Sequence, residues 1–219
     1  MDSVTAPELG DRPGASDGGD AAPLGKSLVE RHRRLFQVVF WAAVAMTLVM
    51  TKPSIQNAYA HSLVNLVAYG LVTAATVGRL WCSLYVRGRK SKSLCQDGPY
   101  SVCRNPLYLF SFLGVTGVAL ASDRLVLMIL LPVLFSGYYL AVIKSEEKRL
   151  LALFGREYEA YLAKVPRIVP RFKGYSTPET VPVPVAHYLP GIMKAMGYLW
   201  ILFLLELMEA LAPVLWRVP

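Results

Sequence analysis

Charged residues are scarce in this chain: 17% of its 219 residues, against about a quarter in soluble domains. The shortfall comes from long stretches with no charge at all, which is the pattern of a membrane protein. The net charge is nevertheless +8. A nucleic-acid binder of that sign interleaves Lys and Arg with polar and aromatic residues on a solvated face. Here the basic residues gather at the ends of apolar runs, which excludes nucleic acid as the partner. Cysteine and histidine are also few. Cys82, Cys95 and Cys103 have no C-x-x-C spacing, and His32, His61 and His187 are scattered. Neither a zinc site nor a disulfide framework is expected.

Large apolar groups are nearly missing from the start, MDSVTAPELGDRPGASDGGDAAPLG. That composition buries too little surface to offset the entropy of ordering, so residues 1–27 are expected to be a disordered tail. No signal peptide is expected there, since a charged-then-apolar order is missing. No prenylation box or retention signal is expected at the other end.

What the chain has in quantity is apolar runs, at Leu35–Thr51, His61–Tyr85, Leu107–Ala121, Leu125–Ile143 and Gly191–Trp216. A helix needs about 20 apolar residues to cross the hydrocarbon core, fewer where the bilayer is thinned. The expected fold is therefore all-α: a polytopic bundle of four core transmembrane helices, an apolar C-terminal helix and a cytoplasmic amphipathic helix. The core is expected over residues 28–190 and the additional helix over 191–219. Ser122-Asp123-Arg124 leaves room only for a helical hairpin, and Pro132 predicts a kink in the second arm of that hairpin.

Basic residues set the orientation. Lys26, Arg31, Arg33 and Arg34 precede the first run; Arg87, Arg89, Lys90, Lys92 and Arg104 follow the second; Lys144, Lys148, Arg149 and Arg156 follow the fourth. The opposite loops hold only Lys52 and Arg124. The positive-inside rule places the N-terminus, the 86–106 loop and the region after 144 in the cytoplasm. Gly70, Ala74 and Gly78 form a small-residue stripe suited to close packing within the chain. Glu206 and Glu209 share one face of the last run, and a tilted or interfacial helix lets both reach water.

Residues 98–108, GPYSVCRNPLY, put a stiff polar segment at the mouth of an apolar run. Asp97-Gly98-Pro99 is a turn signal. Pro106 suits the first turn of a helix, and Asn105 then falls at the N-cap, where its side chain can accept from free backbone N–H groups. A well-capped membrane helix explains this much without any chemistry. Beyond the fourth run, Leu150, Phe154, Tyr158, Tyr161 and Val165 recur at helical spacing and predict an amphipathic helix, ended by VPRIVP. Glu146 and Glu147 lie where the fourth run leaves the membrane, among Lys144, Lys148 and Arg149.

Together GPYSVCRNPLY, the Glu146–Glu147 pair followed by Leu150, FGREYEAY and VPRIVP resemble the isoprenylcysteine carboxyl methyltransferase and phospholipid methyltransferase superfamily, over roughly residues 79–170. The order and spacing of the pieces carry the resemblance; no single piece suffices. The resemblance implies an integral-membrane enzyme that transfers a methyl group from S-adenosylmethionine to a lipid-like acceptor, either the carboxylate of an isoprenylcysteine or the amine of a phospholipid. It implies a cofactor pocket at the cytoplasmic membrane face, with Ser93, Leu94 and Cys95 lining it. Tyr100 answers the tyrosine of the family's G-x-Y. Asn105, Pro106 and Tyr108 stand where the family has His-Pro-x-Tyr. Glu146 matches the glutamate that holds the cofactor, with Glu147 beside it.

Residue chemistry is compatible with those roles. Glu146 can bind the cofactor's ammonium by charge-assisted hydrogen bonds, and Arg104 or the free N–H groups at the start of the third helix can answer its carboxylate. Tyr100 and Tyr108 offer flat faces to adenine or a sulfonium. Methyl transfer needs no metal. Tyr108 and Glu147 are the candidates for a general base, should the acceptor be an amine. Two departures stand out: Asn105 replaces the family's common histidine, and Val142 replaces an arginine that engages substrate in the prenylcysteine enzymes. The rival reading is a non-catalytic lipid-binding or scaffolding protein that keeps the fold.

Overall fold

The computed structural model describes Val44, residues 46–48, 51–86, 93–181 and 185–215. The expected tail, most of the run Leu35–Thr51 and the basic residues Lys26, Arg31, Arg33, Arg34, Arg87, Arg89, Lys90 and Lys92 lie outside the described residues. Among the described residues every regular element is helical: α1 Ala58–Val86, α2 Pro99–Val102, α3 Pro106–Ala121, α4 Leu125–Phe154, α5 Arg156–Lys164, a 3-10 turn Phe172–Gly174, α6 Val185–Ala195 and α7 Gly197–Leu215. Three stretches are long and apolar enough to cross a membrane: α1, α4 and Leu189–Met208, the last shared by α6 and α7. Lipid offers the backbone no hydrogen-bond partner, so such runs must satisfy their own N–H and C=O groups as helices. Helix α3, with 16 residues, is only about 24 Å long, short of the roughly 30 Å hydrocarbon core.

Helices α1 and α3 form the main contact. Ala68 and Val72 of α1 meet Val118 and Ala121 of α3, with Leu202 of α7 closing the cluster. The approach is close because Gly117 has no side chain: a Cβ there would stand 2.8 Å from a Val72 methyl and 2.9 Å from the Ala68 carbonyl. The small-residue stripe is only partly used. Gly78 is buried against the Phe110 ring, but Gly70 and Ala74 are exposed. The packing face of α1 is instead the Ala68–Val72–Ala75 row.

The α3–α4 hairpin turns through Asp123, a non-glycine residue at φ 47°. Its left-handed backbone is held by the segment before α1: Asp123 accepts from Ser54 N at 2.8 Å and, through Oδ1, from Ile55 N at 3.1 Å. Helix α4 runs unbroken across Pro132. Its 30 residues make it about 45 Å long, so its second half extends well beyond the apolar part and carries Glu146 and Glu147 on the same rod.

The single amphipathic helix expected from Leu150 to Val165 is two pieces. Gly155, at φ 47°, ends α4 and starts α5 in a new direction. Only Tyr158 and Tyr161 of the expected apolar stripe are buried. The last apolar run also differs from expectation, since α6 begins at Val185 and continues through position 191, and a turn at Met196 separates it from α7. Glu206 does not simply reach water: its carboxylate accepts a hydrogen bond from the Tyr69 hydroxyl of α1. The Glu209 side chain lies outside the described residues. Nearer the other end of α1, Arg79 donates to Ser111 of α3 and lies 5.4 Å from the Tyr198 ring of α7.

Candidate active site

The polar segment 93–105 is folded by the strap that follows α5. Three main-chain hydrogen bonds, with side-chain bonds beside them, pin residues 166–177 across it. Arg104 N donates to Pro166 O at 2.9 Å, Arg171 N to Val102 O at 2.9 Å and Gly98 N to Ser176 O at 2.7 Å. Ser176 N donates to Ser101 Oγ at 3.1 Å. The Cys103 thiol donates to Ile168 O at 3.1 Å, and burial pushes that thiol's pKa up. The Tyr85 and Thr177 hydroxyls share a 2.8 Å hydrogen bond. A loop of this kind needs such partners, because buried backbone polar groups left unpaired cost free energy.

Pro106 occupies the first turn of α3, where a missing N–H costs nothing. Asn105 is the N-cap residue, but its side chain does not cap the helix. Its Nδ2 donates instead to Arg167 O at 3.1 Å, because the strap passes over the helix start and presents that carbonyl.

Glu147 is the centre of an ion-pair cluster. Arg167 reaches it with two hydrogen bonds, Nε to Oε1 at 3.1 Å and Nη2 to Oε2 at 2.8 Å. Arg104 Nη2 lies 3.7 Å from Oε1. The Glu147 and Arg104 side chains are 13% and 12% exposed, Arg167 46%. Hydrogen bonding to Glu147 raises the Arg167 pKa further above its usual value. Arg104 Nε is buried with no acceptor. Glu146 points elsewhere: it pairs with Arg149 one turn on, at 2.8 Å, and lies close enough to act electrostatically on Tyr108.

Beside this cluster a cleft of about 250 Å³ opens between α3 and α4, lined by Asn105, Tyr108, Phe112, Phe135, Tyr139 and Ile168 among others. Aromatic rings make its wall: Phe135 and Tyr139 stack at 4.0 Å between centroids, and Tyr108 lies 5.1 Å from Tyr139. The cleft is mostly apolar, with Asn105, Ser136 and the hydroxyls of Tyr108 and Tyr139 as its polar groups.

The structure thus brings Arg104, Asn105, Pro106, Tyr108, Glu146 and Glu147 to one end of the α3–α4 hairpin. Ser93, Leu94 and Cys95 do not line the cleft. Cys95 packs with Cys82, Tyr85 and Tyr100 in a separate core. Tyr100 is 9% exposed, so its ring is enclosed; its carbonyl accepts from the Tyr161 hydroxyl at 2.6 Å. Burial raises the pKa of both tyrosines. Sequence reasoning missed Arg167, Phe135 and Tyr139. The last two repeat at i, i+4 on α4, a visible signal, whereas Arg167 falls within VPRIVP, whose prolines signal only a helix stop.

Apolar helices of membrane-spanning length, with a polar loop gathered at one end, make this an integral membrane protein. Residues 79–157 match the phospholipid methyltransferase family, a stretch that contains α2, α3 and both glutamates. The chain is 31% identical over 190 residues to the nickel-cobalt-cadmium resistance protein NccN of Alcaligenes xylosoxydans xylosoxydans, covering 87% of this chain and 89% of that one. It is 36% identical over 135 residues to the cobalt-zinc-cadmium resistance protein CzcN of Cupriavidus metallidurans, 62% of each chain. It is 31% identical over 81 residues to the protein-S-isoprenylcysteine O-methyltransferase of Schizosaccharomyces pombe, 37% of this chain and 34% of that enzyme. No solved structure matches significantly. The chain belongs to the superfamily of isoprenylcysteine carboxyl and phospholipid methyltransferases.

Proposed function

We propose that the protein transfers a methyl group from S-adenosylmethionine to a lipid-like acceptor, at the cytoplasmic face of the membrane. The observation that carries this reading is the 3.7 Å approach of Arg104 to Glu147 at the end of an aromatic, otherwise apolar cleft. Two segments far apart in the chain place opposite charges beside a greasy slot. A ligand with a zwitterionic end and an acceptor with a lipid tail suit that combination. The positive-inside pattern supports the cytoplasmic placement.

The donor set fits the cofactor. Arg104, with a buried Nε that lacks an acceptor, suits its carboxylate. Glu146 suits its ammonium, since its present partner Arg149 is a half-exposed neighbour on the same helix. The ring of Tyr108 suits a sulfonium or adenine face. When bound, S-adenosylmethionine supplies an electrophilic methyl: the acceptor's lone pair forms the new bond to carbon as the C–S bond breaks and its electrons stay on sulfur. The chain's own work is then alignment and exclusion of water by the Phe135–Tyr139–Tyr108 wall. Glu147, engaged by two guanidinium groups, serves better as their anchor than as a base. Tyr108 is a neutral phenol at physiological pH and no better a base, so an amine acceptor would have to arrive deprotonated or lose its proton to water. A carboxylate acceptor has no proton to lose. Val142, in place of the prenylcysteine enzymes' arginine, favours an acceptor other than prenylcysteine.

The relatives named for metal resistance suggest a physiological setting. Among the described residues no three His, Cys, Asp or Glu side chains group to hold a metal ion. We read tolerance to nickel, cobalt, zinc or cadmium as a consequence of a methylated membrane component. Calorimetry of the detergent-purified protein tests the core reading: micromolar binding of S-adenosylmethionine or S-adenosylhomocysteine is expected, and binding of neither returns the protein to a lipid-binding scaffold. Lipid mass spectrometry with and without the protein then identifies the acceptor by a shift of one methylene unit.

A further inference from the structure

The strap after α5 lies beyond the matched family segment of 79–157, and Arg167 on it has no role in the reading above beyond its contact with Glu147. Charge counting makes that contact incomplete. Two guanidinium groups, Arg104 and Arg167, converge on the single carboxylate of Glu147, leaving an excess of one positive charge. Arg104 Nε is also a buried donor with nothing to donate to. Asn105 and Ile168, the chain neighbours of the two arginines, line the cleft. The backbone around Arg167 is held from both sides, by Pro166 O accepting from Arg104 N and Arg167 O accepting from Asn105 Nδ2. Its side chain, 46% exposed, is the part free to move.

From this geometry we infer that Arg167 and Arg104 form an anion site at the polar end of the cleft, which takes the amino-acid carboxylate of the cofactor, with Glu147 holding the two guanidinium groups in place. The inference rests on the methyltransferase reading. A guanidinium fork matches a carboxylate with two parallel hydrogen bonds, which a lone ammonium does not. The same chemistry would also suit a carboxylate or phosphate on the acceptor, so the test must separate the two sources.

Calorimetry on the full chain in detergent, with S-adenosylhomocysteine and 5′-methylthioadenosine as paired probes, does this. The second probe keeps the nucleoside and the thioether but has no amino-acid part. Arg167→Gln is expected to weaken S-adenosylhomocysteine about 10- to 100-fold and to leave methylthioadenosine within about threefold. Arg167→Lys is expected to recover part of the loss. Equal weakening of both probes overturns the inference, because a distorted pocket does not discriminate. Unchanged S-adenosylhomocysteine affinity also overturns it; if binding to nanodiscs containing phosphatidic acid falls in the same variant, the anion belongs to the acceptor. Wild-type protein that binds neither probe removes the methyltransferase reading itself, an outcome distinct from the other two.

Discussion

The Tyr161 hydroxyl donates to the Tyr100 carbonyl at 2.6 Å, joining α5 to α2 across 61 residues of sequence. Both residues are buried, at 4% and 9% exposure. Tyr161→Phe keeps the ring and deprives a buried carbonyl of its donor, at a cost of about 1–3 kcal/mol. A lower Tm in detergent with unchanged helix content is the expected result, and an unaltered Tm would show that water or another donor replaces the hydroxyl.

Alkaline pH should attack the same region. Burial raises the pKa of Tyr100 and Tyr161 and pushes Tyr158 up to about 12. Unfolded tyrosine ionises near 10, so between that pH and the folded values the unfolded chain holds fewer protons than the native one. Stability contributed by these groups is complete below about pH 10 and is lost as pH rises towards 12 and beyond. Denaturation midpoints followed from pH 8 to 11.5 should stay level and then fall. The fall should be shallower in Tyr161→Phe; identical slopes would exclude this tyrosine as a contributor.

The twin glutamates should separate by their readouts. Glu147→Gln leaves Arg104 and Arg167 without their anion and should lower stability by about 1–2 kcal/mol, modest because Arg167 is half exposed. Glu146→Gln gives up one exposed i,i+3 pair with Arg149, about 0.5 kcal/mol or less. Cofactor affinity should rank differently: Glu146→Gln is expected to weaken S-adenosylhomocysteine without unfolding the protein. Unchanged affinity in that variant removes Glu146 from the site.

Glycine positions give a contrast within one backbone class. Gly98 and Gly155 both have positive φ, 58° and 47°. A Cβ at Gly98 would fall 2.4 Å from the Tyr85 ring, whereas one at Gly155 meets nothing within 4 Å. Gly155→Ala should cost only the backbone strain, about 1–2 kcal/mol. Gly98→Ala adds a ring clash of about 1–3 kcal/mol and should also loosen the Gly98–Ser176 hydrogen bond. Equal Tm losses in the two variants would show that the Tyr85 ring moves aside freely.

Much of the architecture was legible in the chain, for a reason specific to lipid. A long uncharged run in hydrocarbon must be helical, so composition alone locates α1, α4 and the apolar stretch shared by α6 and α7. The hairpin followed from a three-residue connection, and Pro106 marked the first turn of α3 because proline's missing N–H is tolerated there. Helix breaks and faces were less legible. Gly155 interrupts a stripe whose spacing looked continuous, since periodicity is blind to one residue with positive φ. The Gly70–Ala74 stripe is exposed, since which face of α1 is buried depends on what α3 presents, and Gly117 lies 39 positions further along than Gly78.

The amino-acid sequence by itself determined that this is a helical membrane protein of the methyltransferase superfamily, because spans, turn signals and motif order are local properties of the chain. Only the tertiary structure decided who meets whom at the polar end. Asn105 turned from the helix it precedes to the carbonyl of Arg167, and Glu147 gained guanidinium partners from before α3 and after α5 while Glu146 kept a neighbour. Long charged side chains reach in many directions, and their choice of partner is set by distances that sequence separation does not encode.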